Sequence, residues 1–210
     1  MARLVELVVG GTSEPWQSLG VETTNESFAL SNVKIRCNGG PPGLHGWTIA
    51  LDGSDVQISQ GTIDGIATSF VVNENDLPMR SAIGNTAVVL LDHVVVNTSD
   101  IERTSLAIED ACGASVRRVR DAGNGVTQAF HRLENTIIEV VSGPHISSGS
   151  AKLWGIAISI EDLHGLAAEL GDLASPPKPA VQKGRFISTI RSAAGVGVPL
   201  AMMTPHLSQR

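Results

Sequence analysis

Two stretches of this chain repeat one another at a fixed distance, and the repeat constrains the fold more than any other feature. Residues 91–100 read LDHVVVNTSD and residues 153–162 read LWGIAISIED. Each is a β-branched apolar run ending on a polar residue and an Asp, as a buried strand feeding a helix N-cap does. Asp100 is followed by IERTSLAIEDACG and Asp162 by LHGLAAELG. Apolar residues recur there at helical spacing: Ile101, Leu106 and Ile108 in one stretch, Leu163, Leu166 and Leu170 in the other. Both end on a glycine, Gly113 and Gly171, which suits a helix C-terminus. Strand-like segments follow in both, ASVRRVRDAG, GVTQAFHRL and TIIEVVSGP against PKPAVQ, GRFISTIRS and VPLAMMTP. The order β-α-β-β-β is therefore spelled twice, over 91–145 and over 151–205. Positions 93 and 155 are separated by the same 62 residues as positions 139 and 201.

A weaker copy opens the chain over 1–52. Its LVELVV at residues 4–9 parallels LDHVVV, and Ser13 and Pro15 suit the start of a short helix over Ser13–Leu19. Strands are expected at Glu26–Leu30, Val33–Cys37 and Gly46–Leu51. Residues 53–90 fall outside the repeat and read as extra strands near Asp55–Ser59 and Thr68–Val72, then a polar connector through Asn73–Asn85. The fold class expected is α+β, with repeated βαβββ modules forming curved mixed sheets around a cavity in one compact unit.

The balance of charges excludes some partners. A net charge of −6 argues against nucleic acid, whose binding rests on clustered Lys and Arg. No run approaches the roughly 20 apolar residues of a membrane span, and the N-terminus lacks a basic region before a cleavable segment. Cys37 and Cys112 have no CxxC spacing, so two unpaired thiols and a cytoplasmic location are expected. The chain contains no Tyr, which removes the phenol as an acid, base or oxyanion donor. It also contains no HExxH, G-x-S-x-G, P-loop or GxGxxG run, so serine-nucleophile, nucleotide and dinucleotide readings have no motif behind them.

With Leu91-Asp92-His93-Val94-Val95-Val96, the Asp100-capped helix and the closing Thr136-Ile137-Ile138-Glu139-Val140-Val141 in view, the chain resembles the vicinal oxygen chelate superfamily, the group of glyoxalases, bleomycin-resistance proteins and dioxygenases. The likeness covers about 91–205 well and 1–52 loosely. It implies paired modules around a cavity, with a divalent metal (Zn, Fe, Mn, Ni or Co) held by side chains of each module's first and last strands. Carried onto this chain, His93 and Glu139 take the ligand positions of the first good copy. Gly155 and Ala201 occupy those of the second and cannot ligate, so that site has two protein ligands or holds no metal at all. Glu6 falls where His93 falls (LVE against LDH) and is the candidate third ligand.

Glu139 stands among Ile137, Ile138, Val140 and Val141, where a carboxylate is costly unless paired or ligating, and it is the expected catalytic group. Gln128, Arg118 and Arg185 are the expected ligand-binding side chains, the arginines by taking a carboxylate or phosphate. The competing readings are an outward-facing Gln128, a charged edge strand for Arg118 and ordinary strand-start charge for Arg185. Trp16, Trp47, Trp154 and Met202-Met203 are candidates for an apolar pocket or for core. If the chain is an enzyme, the resemblance implies a metal-dependent lyase, isomerase or dioxygenase. The alternative is a metal-free protein that sequesters a small molecule, as bleomycin-resistance members do. An odd number of modules argues for a homodimer.

Overall fold

The structure is a computed structural model and describes residues 1–53, 59–72 and 81–206. The first part of the chain supplies β1 (Arg3–Val9), α1 (Glu14–Ser18), β2 (Ser27–Leu30), β3 (Val33–Cys37), β4 (Leu44–Leu51), β5 (Ser59–Ile63) and β6 (Ile66–Val72). A short β7 (Ala82–Ile83) leads into β8 (Thr86–Asn97), α2 (Ile101–Cys112), β9 (Val116–Gly123), β10 (Val126–Arg132) and β11 (Ile137–Ser142). The last part supplies β12 (Lys152–Ile160), α3 (Leu163–Leu170), β13 (Lys178–Pro179), β14 (Phe186–Ile190) and β15 (Leu200–Met203). Among the described residues these strands form a smaller, six-stranded sheet, β2-β3-β1-β4-β6-β5, and a larger, nine-stranded sheet, β13-β14-β15-β12-β8-β11-β10-β9, with β7 on β8.

The larger sheet bears out the sequence repeat strand for strand. Parallel β8 and β11 pair Val94 with Ile138 and Val95 with Glu139; parallel β12 and β15 pair Ile156 with Leu200 and Ala157 with Ala201. Each pair in the second ladder lies 62 residues beyond its counterpart in the first (95 to 157, 139 to 201). The two ladders meet where β8 and β12 run antiparallel. Both helices start on the expected aspartates: Asp100 accepts from the Arg103 N–H at 2.9 Å and Asp162 from the Gly165 N–H at 2.9 Å. Replacing either aspartate by Ala should cost about 1 kcal/mol in urea unfolding.

The smaller sheet repeats this plan in abbreviated form. β1 runs parallel to β3, β4 parallel to β6, and β1 meets β4 antiparallel. Leu44–Leu51 therefore does not close a module over 1–52; it opens a second short unit that β5 and β6 complete. The odd copy that motivated a homodimer is itself paired within the chain. The expected strand at 55–59 lies, apart from Ser59, outside the described residues, as do residues 73–80 of the expected connector.

Alternation sorts the larger sheet into two faces. Val94, Val96, Ala129, Ile138, Val140, Ile156 and Ile158 join one core with Leu7, Trp47, Ile49 and Ile108. α2 packs against β10 and β11 on that face and also touches β5. Direct bonds tie the sheets together. The Asn135 side chain takes both backbone groups of Leu4, accepting from its N–H at 3.0 Å and donating to its carbonyl at 2.8 Å. Asp64, in the β5–β6 turn, accepts from Arg103 Nε at 2.8 Å and from the Thr104 hydroxyl at 2.5 Å.

His131 belongs to the core face. It is fully buried, with Nδ1 2.7 Å from the Ala114 carbonyl and Nε2 3.1 Å from the Ser105 hydroxyl. A neutral imidazole satisfies both contacts, Nδ1–H donating and Nε2 accepting. Burial lowers its pKa. The unfolded chain then takes up this proton first. Its contribution to stability is full above about pH 6.5 and declines as pH falls toward the lower folded value. Urea midpoints measured from pH 7.5 down to 5 should fall more steeply for wild type than for His131→Gln.

Candidate functional site

The site begins with a β-bulge. His93 pairs with Ala157 and Leu91 with Ile158, so β8 carries one extra residue, Asp92, against β12. Consecutive side chains on a regular strand point to opposite faces; the bulge re-aims Asp92 toward the side of His93. Asp92 Oδ1 and His93 Nδ1 are consequently 3.1 Å apart. The opposite carboxylate oxygen, Oδ2, accepts from Arg185 Nη2 at 2.5 Å and from the Ser159 hydroxyl at 2.9 Å. Arg185 is held in turn by the Thr204 carbonyl (Nε, 2.7 Å), the Gln182 side chain and His206 Nε2 (3.0 Å). The Asp92 and Arg185 side chains are each only 2% exposed. Burial by itself raises the Asp92 carboxyl, but hydrogen bonds from His93 and Arg185 and the charges of both outweigh it, holding the group well below the usual carboxylate range.

With Nδ1 committed to Asp92, His93 turns Nε2 toward Glu139, 3.3 Å from Oε2. The other Glu139 oxygen accepts from Gln128 Nε2 at 2.5 Å. Burial pushes the Glu139 carboxyl up, with Asp92 adding to the effect, against the opposing pull of His93 and Arg120. His93 and Glu139 keep 18% and 12% of their side-chain surface exposed, so the pair is accessible at its rim. Register places Arg120 opposite Gln128 and Arg118 opposite Phe130, which itself pairs with Glu139. Both arginines thus stand on the open face beside the pair. Gln128 Oε1 is buried without a hydrogen-bond partner.

At the places matching His93 and Glu139, the second module offers no side chain that could ligate or carry a proton. Ala157 pairs with Ala201, and Gly155 stands at the place corresponding to His93. A Cβ on Gly155 would lie 2.8 Å from the Pro199 carbonyl oxygen and 3.0 Å from Pro199 Cβ. Backbone contact, and not merely the lack of a ligating side chain, closes that position. A catalytic metal of the kind the resemblance implies takes three protein ligands and a second shell. His93 with Asp92 behind it, plus Glu139, supplies two. Among the described residues no group of three His, Cys, Asp or Glu side chains is placed to hold a metal ion. The donor set does not fit such a centre.

Of the residues singled out in the sequence, the structure brings His93, Glu139 and Gln128 together, with Arg118 on the same face. Glu6 does not join them. It lies in the smaller sheet between Arg36 (3.1 Å) and Lys34 (3.4 Å), neighbours its register with β3 supplies. Arg185 does not face a ligand either; its charge is spent on buried Asp92. Sequence reasoning missed Asp92, Ser159 and His206. Ser159, a fully buried hydroxyl within the apolar run IAISI, carried the usable signal.

Strand order decides the architecture: two βαβββ units, each with its first and last strands parallel, joined through their first strands. This is the vicinal oxygen chelate fold. Solved structures similar to the chain include a methylmalonyl-CoA epimerase from Mycobacterium tuberculosis, with a TM-score of 0.49 and 15% identity over 60% of this chain and 94% of that one. A methylmalonyl-CoA epimerase from Streptomyces coelicolor, in complex with 2-nitronate-propionyl-CoA, matches with a TM-score of 0.45 and 17% identity over 57% and 99%. A hypothetical protein from Bacillus halodurans matches with a TM-score of 0.48 and 17% identity over 57% and 96%. No family model matches the sequence, and no curated protein matches it. In this chain a smaller sheet accompanies the two modules, and His93 and Glu139 of the first are matched by Gly155 and Ala201 in the second. No helix among the described residues is long and apolar enough to cross a membrane.

Proposed function

We propose that the open face of the larger sheet binds a small anionic molecule and that His93 and Glu139 move a proton on it, in a reaction of the isomerase or lyase type. One observation carries this reading: a carboxyl raised by burial stands 3.3 Å from an imidazole whose other nitrogen is already committed to Asp92. The imidazole can then exchange a proton only through Nε2, where it meets Glu139. A raised carboxyl is a stronger base than an ordinary one once ionised, closer to the pKa that general catalysis at neutral pH favours.

The surroundings define the ligand. Arg118 and Arg120 attract an anion, and the buried Gln128 Oε1 accepts from a hydroxyl or N–H beside the reacting carbon. No step requires a metal. The test is proton exchange in D2O: wild-type protein is incubated with 2-oxo acids, hydroxy acids and carboxylated acyl thioesters and followed by proton NMR. Loss of a signal next to a carbonyl is expected for at least one member. No exchange from any member sinks the proton-transfer reading. Sequestration of the same ligand without turnover is the second reading. It is favoured by Gly155 and Ala201, which offer no ligating or titratable side chain at the matching places, and binding without exchange would establish it.

A further inference from the structure

The larger sheet contains a second bulge, on the other module. Leu153 pairs with Val96 and Gly155 with Val95, so β12 carries one extra residue, Trp154. Trp154 lies 62 residues beyond Asp92, the bulged residue of β8, so the same irregularity occurs at the same place in both modules. Leu153 packs into the core and Gly155 pairs on the open face, which sends Trp154 to the open side with it. The consequences of the two bulges differ: Asp92 is buried in ion pairs, whereas Trp154 is 51% exposed. A large indole is thus left half in water on the face that holds His93 and Glu139.

We infer that Trp154 forms an apolar subsite that receives a planar or aromatic part of the molecule whose reacting end lies at Glu139. The inference rests on the assignment of the open face as the binding face. No side chain rises from Gly155 next to it, so the half-exposed indole offers its surface to a flat apolar group. Glu139 and Trp154 stand at one level along the strands, since both sit opposite Val95 or the step next to it. Two strand spacings, from β12 across β8 to β11, separate them by about 10 Å. The ligand is therefore an elongated anion, its acidic end drawn toward Arg120 and its ring system reaching roughly that distance to Trp154.

Trp16 and Trp47 are 0% and 2% exposed, so emission accessible to a soluble quencher reports on Trp154. Titration with 4-biphenylacetate should change that emission saturably, and acetate should not. Trp154→Ala, checked for folding by circular dichroism, should bind 4-biphenylacetate about tenfold more weakly by calorimetry, and Trp154→Phe should recover most of the loss. Equal affinity in wild type and Trp154→Ala, or no saturable binding to wild type, overturns the subsite. Proton exchange on short acids reads Glu139 independently. It can persist when Trp154 proves indifferent, and it can fail while biphenylacetate still binds at Trp154.

Discussion

Arg185→Met is expected to lower folding stability by about 3–5 kcal/mol, read from urea unfolding at pH 7. The effect is large because the change leaves Asp92, with 2% of its side chain exposed, charged and without its cationic partner. Ser159 and His93 still contact the carboxylate, but neither replaces a guanidinium that also bonds Thr204, Gln182 and His206. Arg185→Lys keeps the charge and loses that fork of donors, so it should fall between wild type and Met. Adding Asp92→Asn to Arg185→Met should recover part of the loss, because the stranded charge is then gone. The pH dependence has a definite sign. A carboxylate depressed on folding stabilises above its unfolded value of about 3.9, and that stabilisation disappears as pH falls through the lower folded value. Arg185→Met should therefore show a weaker dependence on acid than wild type. An unchanged urea midpoint would mean that the pair is dispensable.

Glu139→Gln should separate chemistry from stability. If the raised carboxyl is the proton carrier, its amide replacement should reduce exchange on the active carbon acid by about 10²–10⁴-fold. Stability should move the other way. A carboxyl raised by burial favours the folded state below its unfolded value of about 4.3, and the advantage is lost as pH rises through the folded value. At pH 7 the ionised group costs stability that a neutral amide does not, so the urea midpoint of Glu139→Gln should equal or exceed that of wild type. Slower exchange together with a more stable protein is the pattern of a site kept for function. Reduced stability at pH 7 would instead make Glu139 a structural member of the sheet.

The repeat was legible because its parts are local. Apolar runs, capping aspartates and terminal glycines are written within a dozen residues of one another, and the two ladders keep the offset seen in the sequence. Glu139 was legible for a related reason, a carboxylate interrupting an apolar strand. The bulges were not. A bulge is a mismatch between two strands, and nothing in LDHVVV alone says that Asp92 lacks an opposite residue on β12. Without it, alternation sends Asp92 away from His93, and Arg185 loses the partner that explains its burial. Glu6 misled because likeness of LVE to LDH places residues on corresponding strands without saying that those strands share a sheet. The smaller sheet was half legible: its strands showed as apolar runs, but the parallel pairing of β4 with β6 depends on contacts across the chain.

The clamp of Asn135 on Leu4 sets an order in time. β1 leaves the ribosome ahead of β3 and β4, yet two of its backbone groups are satisfied by a side chain 131 residues later. At about 5–20 residues per second, roughly 7–26 s of synthesis separates them. During that interval the smaller sheet can pair β1 with β3 and β4, but Leu4 must rely on water. Closure of β1 is thus among the later events of the chain's birth, and until Asn135 emerges the backbone of Leu4 stays open to a chaperone.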